Sequence, residues 1–180
     1  MGNVVYFDLE TQSGFRPGMR EWGGLRISVA VTYATQTGEY RIYREEEVQE
    51  LVETLQRADR VVGYNVVDFD YRVLGGYTVL DFSHVPTLDL MRDIEQSAGV
   101  RLALEAVGEA TLGIGKTGNG ADAIKLWQAG KYAEVARYCC YDVKLTRLVH
   151  EYGAYHGKVA YRNRQTMKLD YAKVSWRLED

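Results

Sequence analysis

Three features of the chain predict a mixed α/β layer fold whose sheet is only partly antiparallel. An apolar strand opens the sequence. Two β-branched segments joined by a short turn follow it, and nearly everything from Met91 to Tyr152 carries a helical pattern. The early hairpin excludes a plain doubly wound sheet. With 180 residues, 46% of them apolar, one domain spanning 1–180 and a substantial core are expected.

The first strand is NVVYFDL, residues 3–9. FRPGMREWGG (15–24) is rich in turn formers and reads as a loop. LRISVAVTYA (25–34) largely alternates and is β-branched, hence a second strand. TQTGEY turns the chain, and YRIY (40–43) returns as a third strand. In REEEVQELVETLQRA (44–58), Val48, Leu51, Val52 and Leu55 recur at helical spacing. Acids crowd its first turn, where the helix dipole favours them. RVVGYN (60–65) is a further buried strand and VPTLDL (85–90) a short one. A glycine-rich loop from Gly113 to Gly120 interrupts the helical half. Residues 153–180 mix strand formers with polar residues and form a C-terminal extension of no evident class.

No apolar run approaches a membrane span, and the N-terminus reads as a strand rather than a signal peptide, so no membrane partner is expected. The two cysteines, Cys139 and Cys140, are adjacent in a helical stretch and form no disulfide framework, which suits a reducing, cytoplasmic setting. The formal charge of −3 lacks the basic excess usual for nucleic-acid binders. Four of the acids are candidate cation ligands, however. From Gly157 onward six Lys or Arg face three acids. Charge balance is therefore neutral evidence on nucleic acid.

Asp8 and Glu10 end the first strand two residues apart and so face one side. Like charges beside an apolar core repel and resist desolvation. A hard divalent cation, Mg²⁺ or Mn²⁺, relieves both costs. A solvated strand end is the plainer reading of this pair alone. In VVGYNVVDFDYRVL (61–74), Asn65 opens a turn, and Asp68 and Asp70 fall at a helix start. The two acids are about 200° apart round the helix and cannot share one site. Asp68 fits an N-terminal capping role. In ARYCCYDVKLTRLV (136–149), Tyr138 and Asp142 are four apart on one helix face. Val135, Cys139, Val143, Leu145 and Leu148 form its apolar stripe. Alone, Tyr138 reads as a surface tyrosine.

Together the three stretches resemble the three motifs of the DEDD superfamily of 3′-5′ exonucleases, on the ribonuclease H-like fold. These are Asp-x-Glu in FDLET, Asn-x₃-Phe-Asp in NVVDFD, which selects Asp70, and Tyr-x₃-Asp in YCCYD. The resemblance covers residues 3–152 and is closest to the exonuclease domain of family B DNA polymerases and its stand-alone bacterial relatives. Arg137 stands where the histidine subclass has its histidine, so the chain resembles the tyrosine subclass.

The resemblance implies a ribonuclease H-like mixed sheet flanked by helices and a two-metal phosphodiesterase. Asp8, Glu10 and Asp142 hold the first ion. Asp8, with Asp70 through water, holds the second. Tyr138 orients the attacking water, and Leu9 packs on the terminal base. Thr11, Asn65 and Lys116 are further candidate substrate contacts. The implied substrate is single-stranded nucleic acid, DNA rather than RNA, with a helicase or polymerase as candidate partner. A non-catalytic accessory domain of such a system and an RNase of the same superfamily are the alternatives.

GIGKTG (113–118) matches a dinucleotide fingerprint literally but follows a helix, and Ala110 breaks the phosphate-loop spacing. Tyr64, Tyr77, Trp22 and Trp127 are candidate base-stacking residues. Arg162, Arg164, Lys168 and Lys173 are candidate phosphate contacts, or else a solvated edge.

Overall fold

The computed structural model describes residues 2–14, 22–114 and 120–178. Strand β1 (Val4–Thr11) pairs with β2 (Ile27–Ala34) in antiparallel register, Phe7 opposite Thr32 and Asp8 opposite Val31. β2 in turn pairs with β3 (Glu39–Tyr43). On its other side β1 runs parallel to β4 (Arg60–Gly63), which runs parallel to β5 (Thr87–Asp89). The order is β3-β2-β1-β4-β5, mixed as the hairpin predicts. β1 is apolar on both faces from Val4 to Phe7 because it lies mid-sheet, covered on both sides. β3, at an edge, carries exposed polar residues.

The even-numbered residues of β1 face α6 (Tyr132–His156), which packs with α3 (Leu90–Ala98) and α4 (Leu104–Leu112) on that side of the sheet. α5 (Gly120–Gln128) packs on α6. The odd-numbered residues Val5, Phe7 and Leu9 join the second core with α1 (Val48–Gln56) and α2 (Asp70–Leu74). The predicted helix over 44–58 starts as a 3-10 turn at Glu45–Glu47, and all four of its expected apolar positions are buried. No described helix is long and apolar enough to cross a membrane.

Two expectations change. Leu148 does not complete the α6 stripe: Thr146 and Val149 are buried instead, and Leu148 is only half-buried. Asp68 caps nothing. Phe69 is the residue preceding α2, and the Asp68 carboxylate takes a two-pronged hydrogen bond from Arg92, at 2.7 and 3.1 Å. An arginine brought from α3 offers it a stronger partner than free amides would.

The unassigned tail is a hairpin, β6 (Lys158–Arg162) and β7 (Leu169–Lys173), followed by an extended strap. Val159, Tyr161 and Ala172 enter the core, and Thr111 Oγ1 bonds both backbone polar groups of Ala160. Trp176 lies over Gly153, where a Cβ would come within 2.4 Å of the ring, and its Nε1 donates to Asp93. Gly153→Ala is therefore expected to lift the strap at a cost of about 1–3 kcal/mol. Red-shifted tryptophan emission with faster proteolysis after Gly157 would report it. Unchanged emission and protection would mean that the ring moves aside freely.

Candidate active site

β4 pairs with β1 only through Val4, Val5 and Tyr6, because the chain leaves the sheet after Gly63. No side chain fits at Gly63: a Cβ would stand 2.1 Å from Val66 Cγ1 and 3.1 Å from the Phe7 carbonyl. Asn65 then takes a left-handed conformation, φ 68°, which asparagine tolerates better than most residues. That turn sets Asp70 beside the edge of β1 that β4 leaves unpaired, where its Oδ1 accepts the Leu9 N–H at 2.9 Å. A carboxylate thus fills the ladder position that β4 vacates.

The turn is fastened by Asp89, a residue outside all three motifs. Its Oδ1 accepts from Asn65 N–H at 2.9 Å and its Oδ2 from Val67 N–H at 3.0 Å. The same carboxylate caps α3 through Met91 and Arg92. An Asp just before an apolar helical run is the one sequence signal that marks it.

Asp8 and Glu10 face α6, as the two-residue period predicts, and Asp142 reaches them from that helix. Carboxylate oxygens of the three lie within 4.8 Å of one another. Asp142 is 8% exposed, and its Oδ1 is buried with no hydrogen-bond partner among the described residues. Burial, with Asp8 and Glu105 nearby, pushes its pKa up to about 8, against the hydrogen bond from Tyr138. Burial and the neighbouring Asp70 raise Asp8 well above the usual carboxylate range, and burial, Asp8 and Asp142 do the same for Glu10. Burial also raises Asp70, opposed by the Leu9 N–H. The three clustered acids so placed fit a hard divalent cation: hard oxygen donors, mutual repulsion and an unsatisfied buried oxygen.

Tyr138 is buried, not on the surface. Burial first, then Asp142 and Glu10, raise its phenol far above the ordinary value, so it stays protonated. Cys139, which the sequence places in an apolar stripe, has a second role: its thiol lies 3.3 Å from Asp8 Oδ2 and 3.4 Å from the Asp8 carbonyl. Nothing in the local pattern marks it. Only the crossing of β1 and α6 brings the two together.

A cavity of about 330 Å³ opens over the acids, bordered by Thr11, Tyr64, Asn65, Phe69, Ile124 and Tyr138. Thr11 is buried and donates to the Ser13 carbonyl. Asn65 Oδ1 accepts from Arg101. Leu9 borders this space, yet it is 3% exposed and its side chain belongs to the opposite core, so it offers no open platform for a base. Lys116 lies outside the described residues, as does most of the glycine-rich loop. Of the four aromatic candidates only Tyr64 borders the site among the described residues, with its hydroxyl donating to the Leu102 carbonyl at 2.9 Å. The Tyr77 hydroxyl is engaged by Glu45 and Ile27, Trp22 packs edge-on against Phe69, and Trp127 packs on Tyr132.

Residues 5–152 match the family model described as the RNase_H superfamily. No curated protein matches the sequence. Among solved structures, the family B DNA polymerase from the hyperthermophilic archaeon Pyrobaculum calidifontis superposes with a TM-score of 0.67 at 16% identity. The match covers 85% of this chain and 24% of that one, so the chain spans about a quarter of the polymerase's length.

Proposed function

The chain belongs to the RNase H superfamily, and from that premise we propose that it is a metal-dependent 3′-5′ exonuclease of the tyrosine subclass. Its substrate in this reading is the 3′ end of single-stranded or frayed nucleic acid, DNA rather than RNA. The observation that carries the proposal is the carboxylate cluster of Asp8, Glu10 and Asp142 with its orphaned buried oxygen. Acids in that arrangement are costly unless a cation is meant to join them. The cost also argues against a non-catalytic accessory domain.

Asp8, Glu10 and Asp142 would hold one divalent ion, Mg²⁺ or Mn²⁺, and Asp8 with Asp70 a second. Bound there, such ions supply neutralising charge at the phosphate and water of lowered pKa. The remaining work falls to the chain. Tyr138, protonated and one helical turn before Asp142, presents a phenol that holds the attacking water in line with the scissile bond. Asn65, fixed by Asp89 and Arg101, and Thr11 line the space for the terminal nucleotide. The reading includes a helicase or polymerase that supplies frayed ends. The free thiols suit a reducing compartment.

A gel time course with 5′-labelled single-stranded DNA and RNA of one sequence, in Mg²⁺, Mn²⁺ or EDTA, tests this. A metal-dependent ladder descending from the 3′ end, faster on DNA and lost in Asp142→Ala, is expected. Internal cleavage, or no cleavage with either metal, would refute it. Tyr138→Phe is expected to slow turnover by about 10–100-fold while Mn²⁺ affinity by calorimetry stays unchanged. Loss of metal affinity would make Tyr138 a structural support for Asp142 instead.

A further inference from the structure

The hairpin beyond residue 152 lies outside the family match, and its charge is sorted by face. Opposed residues of antiparallel strands share a face. The register therefore groups Lys158, Arg162, Lys173, Leu169 and Tyr171 on one side. The other side sends Val159, Tyr161 and Ala172 into the core. The one acid on the two strands, Asp170, is on that core-directed side, where its Oδ2 accepts the Tyr161 hydroxyl. The outer face thus carries three cations, two exposed apolar side chains and no acid. Lys158 Nζ sits 4.5 Å over the half-exposed Tyr171 ring.

A groove of about 420 Å³ runs between this hairpin and α4. Ala106 and Ala110, four apart on one face of α4, and Ala103 just before the helix give it a low floor. Arg162, Arg164 and Met167 form the opposite wall, with Glu109 the single acid lining it. The wall is preorganised: Asn163 Oδ1 accepts from the Gln165 and Thr166 N–H groups, and Arg162 donates to the Met167 carbonyl. Arg164 is exposed and makes no ion pair or side-chain hydrogen bond among the described residues. The groove meets the candidate active site at the Tyr64–Leu102 hydrogen bond: Tyr64 borders one cavity and Leu102 the other.

We infer that the α4–hairpin groove and the cationic face beside it hold the sugar-phosphate backbone of the substrate strand upstream of its 3′ end. This rests on the reading that the site takes single-stranded nucleic acid. Arginines on phosphates and a half-exposed tyrosine under a lysine that can move onto a phosphate are the chemistry of a sequence-tolerant single-strand track. On this assignment the hairpin sets how firmly a strand is gripped, while the acids on β1 and α6 do the cutting.

Binding of a 5′-fluorescein 20-nucleotide oligodeoxythymidine, followed by anisotropy in EDTA, tests the assignment without cleavage. Arg162→Ala with Arg164→Ala is expected to weaken binding about tenfold. It is also expected to flatten the dependence of log Kd on log salt by about 1.4, at roughly 0.7 per lost phosphate contact. Arg44→Ala with Arg57→Ala, which removes equal charge from the α1 side, should bind like the wild type. A melting temperature equal to the wild type's confirms that the groove variant is folded. Equal binding by wild type and groove variant, equal weakening by both double variants, or no binding by the wild type would each overturn the inference. Cleavage by the wild type in Mn²⁺ is scored separately. Its absence alongside a binding loss in the groove variant would sink the exonuclease reading and leave the strand track standing.

Discussion

Asp8→Ala is expected to abolish metal-dependent cleavage, by about a thousandfold or more, and at the same time to raise the melting temperature of the metal-free protein. The two effects share one cause. Asp8 sits between Asp70 on one side and Glu10 and Asp142 on the other, and each of these raises the energy of its ionised form or is raised by it. Removing Asp8 removes the hub of that repulsion along with the ligand common to both proposed ion sites. Little else is lost. The Cys139 thiol keeps the Asp8 carbonyl as an acceptor at 3.4 Å, and the Leu9 N–H keeps Asp70. A rise of several degrees in EDTA at pH 7 corresponds to about 1–2 kcal/mol in a chain of this size. An unfolded or less stable variant would show that Asp8 is a structural residue. A wild-type cleavage rate would dismiss the site.

The second expected effect is on the wild type itself. In the unfolded chain these carboxyls titrate near 4, whereas in the fold all four are raised, Asp142 to about 8. Between those values the folded state binds more protons, so metal-free stability falls as pH rises. The Asp142 contribution is complete below about pH 4 and is lost as pH climbs through about 8, and the other three acids add in the same direction. All four shifts act in the same direction, so the metal-free melting temperature is expected to fall steadily from pH 5 to pH 8. Divalent cations compete with those protons, so the stabilisation by Mn²⁺ should grow from pH 5 to pH 8. Melting curves in EDTA and in Mn²⁺ across that range decide it. A metal-free protein that gains stability toward pH 8 would mean that the acids are not mutually opposed.

The parts of the site that sequence exposes are those governed by local period. Asp8 and Glu10 share a face because a strand alternates, and Tyr138 and Asp142 because a helix repeats near four. The mixed sheet follows from a hairpin preceding a β-α-β order. Asp70 stands out from Asp68 only through the family resemblance. Its contact with the Leu9 N–H depends on β4 ending at Gly63, a packing event that no local pattern encodes. The roles of Cys139 and Asp89 are hidden for the same kind of reason. The thiol meets its carboxylate across 131 residues and Asp89 meets Asn65 across 24, and periodicity reports faces rather than distant partners. The tail is illegible because its strands are short and its anchor, Trp176 over Gly153, is a tertiary fit.

The span between Asp8 and Cys139 also orders events in time. The carboxylate on α6 joins those on β1 only after a loop of that length has closed, whereas Asp70 on α2 reaches Leu9 across 61 residues, and loop closure over the longer distance comes late and slowly. During synthesis the acids on β1 wait, apart from Asp142, until α6 has left the ribosome. The cation proposed to tie them together would therefore act on a chain already folded around it. Its signature is a slower unfolding rate with an almost unchanged refolding rate, the mark of a clasp fitted after assembly rather than a seed.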